Sequence, residues 1–241
     1  MRLDHLLVAR GFAETRSKAQ DLIRRGAVRL GDQIACKTGL VVSADASVEV
    51  LEAKQYVARS AWKLIAALDA FGFSPAARIC LDLGASTGGF TQVLLERGAT
   101  KVFAVDVGRA QLHFSLRENP AVISMEATDA RALSHGSFDA PIEAVTCDVS
   151  FISLVKVLPS VLPLPGKGAW LVALVKPQFE VGRAHIGKGG IVKNETAKAE
   201  AVNRITAYIE ASGWAVRGVL PSPIAGQDGN EEILVGASRQ D

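Results

Sequence analysis

From residue 60 onward, short runs of branched and aromatic residues alternate with amphipathic stretches of helical period, and this leaves few folds open. The segment AWKLIAALDAF (61–71) predicts a helix and RICLDLG (78–84) a strand. A helix over about 91–97, a strand over 101–107 and a helix from about Ala110 follow. Further strands are expected at 122–126, 144–149 and 169–175, then a long helix over 195–212 and closing strands at 215–220 and 232–237. Strands separated by helices pair in parallel, because the chain must cross the sheet between them. The expectation is a Rossmann-like α/β fold: a seven-stranded, mostly parallel sheet, helices on both faces, and one antiparallel edge.

Residues 1–58 follow another rhythm and form a separate small α+β domain with its linker, leaving 59–241 for the sheet domain. Leu3, Leu6, Leu7 and Ala9 make a helical stripe that stops at Gly11. Thr15 suits an N-cap, Ala19, Leu22 and Ile23 supply the next apolar face, and Gly26 ends it. Ala27–Leu30 predicts a strand, Gly31-Asp32 a turn and Gln33–Cys36 its return. Val41, Val42, Val48, Val50 and Leu51 suggest further short strands, and the polar stretch 52–59 a linker.

Several classes of protein are excluded by composition. At 49% hydrophobic and 22% charged residues the chain is neither disordered nor of low complexity. No apolar run approaches the roughly 18–20 residues of a membrane span, and MRLDHLLVAR lacks the apolar core of a signal peptide. Cys36, Cys80 and Cys147 are scattered, which fits a reducing cytoplasm and argues against disulfide or zinc frameworks. His5, His113, His135 and His185 show no ligand spacing, so no metal is expected. Net charge is only +2, but the first thirty residues hold seven Lys/Arg against three acids. Composition alone makes that a solvated face.

The loop Asp82-Leu83-Gly84-Ala85-Ser86-Thr87-Gly88-Gly89-Phe90 follows a strand and opens a helix. Glycines there let a backbone approach a ligand, and a helix N-terminus favours a negative group. The loop has no lysine for a phosphate-binding G-x-x-x-x-G-K-[ST] motif, and Ala85-Ser86 break the dinucleotide fingerprint G-x-G-x-x-G. Acidic-Leu-Gly-small-small-x-Gly-Gly is instead the pattern of S-adenosylmethionine (SAM) methyltransferases. Asp106 closes the next strand 24 residues after Asp82, where a carboxylate accepts ribose hydroxyls. Asp129 follows the third strand and suits an adenine amino group. A NAD-type cofactor, or a plain glycine turn with a solvated acid, remains the alternative.

Polar residues also gather where ligands sit in open α/β sheets, outside the carboxyl ends of strands. Asp148 ends the fourth strand and Lys176 the fifth, after the apolar run 169–175. A cation in that position is expensive unless paired. Lys63 lies on the helix before the first strand, and Glu232 begins the last.

RSAWKL, LDLGASTGGFT, DVSFIS, LVKPQFE, GKGGIV and DGNEE, in this order, resemble the TlyA (hemolysin A-like) family of rRNA methyltransferases. Their catalytic domain is similar to FtsJ-type RNA 2′-O-methyltransferases. RLDHLLVARGFAETRSKAQDLIRRGAVRLG resembles the RNA-binding domain first seen in ribosomal protein S4. The resemblance implies a SAM cofactor held by Asp82, Gly84, Ala85, Ser86, Thr87, Gly88, Gly89, Phe90, Asp106, Asp129 and Asp148. It implies a catalytic tetrad of Lys63, Asp148, Lys176 and Glu232, with Glu231 adjacent to the last. It also turns Arg2, Arg16, Lys18, Arg24 and Arg25 into candidate RNA contacts, joined by Arg183 and Lys188 in a glycine-rich loop over 182–190 expected to be mobile. The implied reaction is 2′-O-methylation of a cytidine in ribosomal RNA, on ribosomal subunits, with no obligatory protein partner. Resemblance to the shorter form of the family favours the large subunit. The rival readings are a non-catalytic ribosome assembly factor on the same scaffold and a pore-forming haemolysin, which no amphipathic membrane hairpin supports.

Overall fold

A computed structural model describes residues 1–24, 26–31, 33–35, 37–50, 56–226 and 228–239. Arg25, Asp32, Cys36, Leu51 and the linker stretch 52–55 lie outside the described residues.

In the N-terminal part, Leu3–Ala9 forms α1 and Arg16–Arg24 forms α2. They pack on a three-stranded antiparallel sheet with Val28–Leu30 (β1) between Gln33–Ile34 (β2) and Val48–Val50 (β3). The helical stripe does what its spacing predicts: Leu3, Leu7, Ala19 and Ile23 close over Val28. Val41, expected in a strand, makes only an isolated bridge to Arg2.

The larger part begins with Ala61–Phe71 (α3) and Ile79–Leu83 (β4). Gly89–Glu96 (α4), Lys101–Val105 (β5), Phe114–Arg117 (α5), Val122–Met125 (β6) and Ala144–Cys147 (β7) follow. Leu154–Val161 (α6), Trp170–Val175 (β8), Pro177–Glu180 (α7), Glu195–Ala211 (α8), Trp214–Pro221 (β9) and Ile233–Arg239 (β10) complete it. The seven strands lie in the order β6-β5-β4-β7-β8-β10-β9. Strands β4 to β8 pair in parallel, and β10 runs antiparallel to both neighbours. The antiparallel strand is therefore interior rather than the edge. The crossover through α8 carries the chain past one vacant position to β9, and the return strand fills it.

Burial on both faces explains the unbroken apolar run of β8. Leu171, Ala173 and Val175 meet Val157 and Leu158 of α6 and Ile205 and Ile209 of α8 on one side. Trp170, Val172 and Leu174 meet Leu64 and Leu68 of α3 on the other.

Two segments depart from expectation for the same reason, a distant carboxylate. The helix expected from Ala110 starts only at Phe114, because Glu126 accepts the backbone N–H groups of Ala110, Gln111 and Leu112 at 2.7, 2.7 and 3.0 Å. Helix α6, absent from the sequence expectation and interrupted by Pro159, is capped by Glu180, which accepts from Leu154 N at 2.7 Å and Ser153 Oγ at 2.6 Å.

Candidate active site

The carboxyl ends of β4, β5, β7 and β8 bring Gly84, Asp106, Asp148 and Lys176 to one edge of the sheet. Because β10 is antiparallel, its amino end reaches the same edge, and its register, Ile233 opposite Val175, sets Glu232 beside Lys176. Gly84 is left-handed (φ 78°), and a Cβ there would stand 2.6 Å from the Asp148 carbonyl oxygen. Only glycine lets β4 and β7 end this close together.

Two adjoining cavities open at this edge. The first, about 290 Å³, is lined by Lys63, Asp148, Lys176 and Glu232 together with Ala85, Thr87 and Phe90. All four tetrad residues thus meet in one place. Lys63 Nζ donates to Glu232 Oε2 in a pair only 7% and 3% exposed. Two charges so placed stabilise each other, and removing one would leave the other buried alone, a loss of about 3–5 kcal/mol. Lys176 Nζ lies 2.7 Å from Asp148 Oδ1 and donates to Ser150 Oγ (2.7 Å) and the Asp148 carbonyl (3.3 Å). The adjacent Glu231 is 76% exposed and pairs with Lys198, so the strand's alternation separates the two glutamates.

The second cavity, about 530 Å³, is lined by Asp106, Val107, Thr128, Asp129, Arg131 and the Gly84–Ser86 turn. The two cavities share Gly84, Ser86, Asp148, Ser150 and Phe151. Asp106 accepts from Ser86 N at 2.8 Å and Gly108 N at 2.7 Å, which fixes the carboxylate. A carboxylate has about four lone-pair sites, so it keeps capacity for ribose hydroxyls. Asp129 holds Arg131, whose guanidinium draws its carboxyl down to about 2. These residues fit SAM: a carboxylate for the ribose, an apolar Val107 wall for the adenine, and Asp148 at the junction where a sulfonium would sit.

Asp82, Gly88 and Gly89 were expected to touch the cofactor, yet none of them lines either cavity. Asp82 is fully buried beneath the loop, accepting from Thr91 Oγ1 (2.7 Å) and Thr146 Oγ1 (2.9 Å), and burial raises its carboxyl to about 6. Gly88, left-handed at φ 99°, lies where a Cβ would strike Leu116. These three shape the loop from below.

Ser150, Phe151, Gln178, Phe179, Arg59 and Asp228 also line the first cavity, and sequence reasoning did not single them out. Phe151 is 90% exposed with φ 64°, its ring 5.2 Å from Phe179. An aromatic spent on no core, inside the polar-ended motif DVSFIS, was the available signal.

The profile of the FtsJ-like methyltransferase family matches residues 56–239, and that of the S4 domain matches residues 1–48. The chain is 43% identical over 236 residues to the 16S/23S rRNA (cytidine-2′-O)-methyltransferase TlyA of Mycobacterium tuberculosis, covering 97% of this chain and 88% of that protein. The chain belongs to the TlyA family of FtsJ-like methyltransferases. It is also 41% identical over 180 residues to the 23S rRNA (cytidine-2′-O)-methyltransferase TlyA of Campylobacter jejuni, covering 74% and 69% of the two chains. A solved structure from Streptococcus thermophilus named as a hemolysin superposes with a TM-score of 0.76 at 38% identity, covering 100% and 89%. Among the described residues of this TlyA-family chain, no helix is long and apolar enough to cross a membrane.

The S4 domain of this TlyA-family chain displays its cations unequally. Arg2 and Arg16 are half-exposed and both bind Asp4, at 3.0 and 2.9 Å, while Asp4 itself is shut off from solvent and also accepts from Gln20. Lys18 pairs with the exposed Glu14, and Arg24 reaches Gln20 at 3.4 Å. Arg183 and Lys188 sit in exposed one-turn helices and line neither cavity. The carboxyl end of the glycine-rich loop carrying them is tied down: Asn230, 2% exposed, accepts from Val192 N and donates to the Gly190 carbonyl, both at 2.9 Å.

Proposed function

We propose that this chain transfers the methyl group of SAM to the ribose 2′-hydroxyl of a cytidine in ribosomal RNA, that of the large subunit. The observation that carries this is the junction itself: a cavity holding Lys63, Asp148, Lys176 and Glu232 opens into one holding Asp106 and Asp129. Both rRNA-modifying relatives carry 23S in their names, which supports the large subunit. Residues 1–58 hold the RNA, through Arg2, Arg16, Lys18, Arg24 and Arg25, and 59–241 carry out the transfer.

When bound, SAM supplies a methyl group on a positively charged sulfur. The chain's own work is to align an acceptor oxygen with it and to receive the hydroxyl proton. Asp106 would hold the ribose of the cofactor and Asp129 its adenine amino group, with the Gly84–Ser86 turn beside them. Asp148 sits where the cavities meet and favours positive charge on both sides. Lys176 donates to the acceptor oxygen, and the hydroxyl proton passes to the Asp148 carboxylate beside it. Alignment of this kind supplies much of the rate in group transfer. Lys63 and Glu232 fix the floor, and the exposed ring of Phe151 offers a face for a base drawn out of the RNA stack, worth about 1–3 kcal/mol.

The test is methyl incorporation from labelled SAM into ribosomal subunits of a strain lacking this protein. Incorporation into large subunits is expected. No incorporation into either subunit, with RNA still bound, would establish the non-catalytic assembly factor instead.

A further inference from the structure

Lys176 is held by more than its tetrad partner. An ammonium has three N–H donors and no acceptor capacity, so its direction is set entirely by what accepts from it. Asp148 Oδ1, 2.7 Å away, is the strongest acceptor nearby and pairs with the ammonium. The ammonium also donates to Ser150 Oγ at 2.7 Å and the Asp148 carbonyl at 3.3 Å. The carbonyl belongs to the strand end and cannot move, so the side chain of Ser150 is the adjustable member.

Ser150 lines both cavities, which places it at the passage between donor and acceptor. Its segment is fixed at each end. Asp148 N donates to the Leu83 carbonyl at 2.8 Å, and Glu180 binds Ser153 and Leu154. Phe151, left-handed at φ 64°, turns the chain between these anchors. A hydroxyl on so constrained a segment has a defined position, and Lys176, only 8% exposed, has few alternatives to it.

We infer that Ser150 is a positioning residue for the methyl transfer: its hydroxyl, together with the Asp148 carboxylate, fixes the Lys176 ammonium at the mouth between the two cavities. This rests on the methyltransferase reading and deepens it. Without the hydroxyl, the ammonium is held by Asp148 alone and loses its fixed direction toward the acceptor oxygen. Ser150 acts through Lys176, so its effect belongs to the transfer step rather than to binding of either substrate.

The test compares wild type, Ser150→Ala and Ser150→Thr in single-turnover methylation of ribosomal subunits, with SAM affinity measured by calorimetry. Loss of one hydrogen bond to a charged group predicts a fall of about tenfold or more in rate for Ser150→Ala, with SAM affinity changed by less than about threefold. Ser150 is exposed, so the extra methyl of threonine has room, and Ser150→Thr keeps the rate within about threefold of wild type. An unchanged rate in Ser150→Ala overturns the inference. So does an equal loss in both variants, which would mark a packing role, and so does a parallel loss of SAM affinity, which would mark a cofactor contact. An inactive wild type overturns the methyltransferase reading and this inference with it, whereas the other three outcomes overturn the inference alone.

Discussion

Asp4 in the N-terminal domain and Asp82 in the catalytic domain are both closed to solvent, yet they are opposites in charge chemistry. Asp4 is bound by the Arg2 guanidinium above all, then by Gln20 and Arg16, and its carboxyl is held far below the usual range. Asp82 has only the hydroxyls of Thr91 and Thr146, so burial wins and its carboxyl rises to about 6. Hydroxyls favour a buried carboxylate too, but here they offset burial less than two guanidinium groups do. The contrast extends to the two domains. The N-terminal domain buries an anion so that Arg2 and Arg16 face outward with fixed geometry. The catalytic domain buries its cations, Lys63 and Lys176, against acids. On the proposed function, outward cations bind a backbone and inward cations act on one atom.

The strongest attack on that contrast is at Lys176. Lys176→Ala should cut single-turnover methylation at least about a hundredfold while SAM and RNA affinities change less than about tenfold. Lys176→Arg should not restore it, since a planar guanidinium cannot take the place of a compact ammonium. A drop in RNA affinity as large as the drop in rate would make Lys176 an RNA contact like those of the other domain.

Next in size is Asp106→Ala, which removes a fixed acceptor for the cofactor ribose. Calorimetric SAM affinity should fall at least about tenfold with folding intact. Unaltered affinity would remove Asp106 from the cofactor site.

A smaller effect is expected in the outward-facing set. Arg16, anchored by Asp4, is preorganised, whereas Lys18 leans on an exposed glutamate. Arg16→Gln should therefore weaken RNA binding more than Lys18→Gln, and each should reduce the logarithmic salt slope by about one. Equal or absent effects would return these cations to a solvated face.

The smallest effect separates the two buried acids. Asp4, with a depressed carboxyl, contributes stability present above its unfolded value near 4 and lost as pH falls below it. Asp82, with a raised carboxyl, contributes stability that is full below that value and lost as pH rises through about 6. Between about pH 4 and 6 thermal melts of wild type should therefore lose an Asp82 contribution that Asp82→Asn does not lose. Parallel stability curves for the two proteins would show that Asp82 ionises as an ordinary carboxylate.

Legibility in the sequence tracked the range of the interactions involved. The strands follow from local period, and an apolar run buried on both faces must end where Lys176 stands; the tetrad came from the family resemblance, and it took the structure to separate buried Glu232 from exposed Glu231. What escaped notice depends on partners far along the chain. Glu126 reaches back to Ala110 and shortens α5, Glu180 caps α6 from 26 residues downstream, and Asn230 anchors the end of the glycine-rich loop. Asp4 looks like an ordinary acid in a first helical turn until Arg16 and Gln20 fold over it. Asp82 looks like a ligand until two threonines claim its oxygens.

The central claim, that outward cations hold ribosomal RNA while the buried set methylates one ribose, is tested most directly by locating the methyl group. Ribosomal subunits from a strain lacking this protein would be incubated with it and SAM, and their rRNA digested and analysed by mass spectrometry. The account predicts a 2′-O-methylcytidine at one position of large-subunit rRNA, absent when Lys176→Ala replaces wild type. A methyl group on a base, or undiminished ribose methylation by Lys176→Ala, would contradict it.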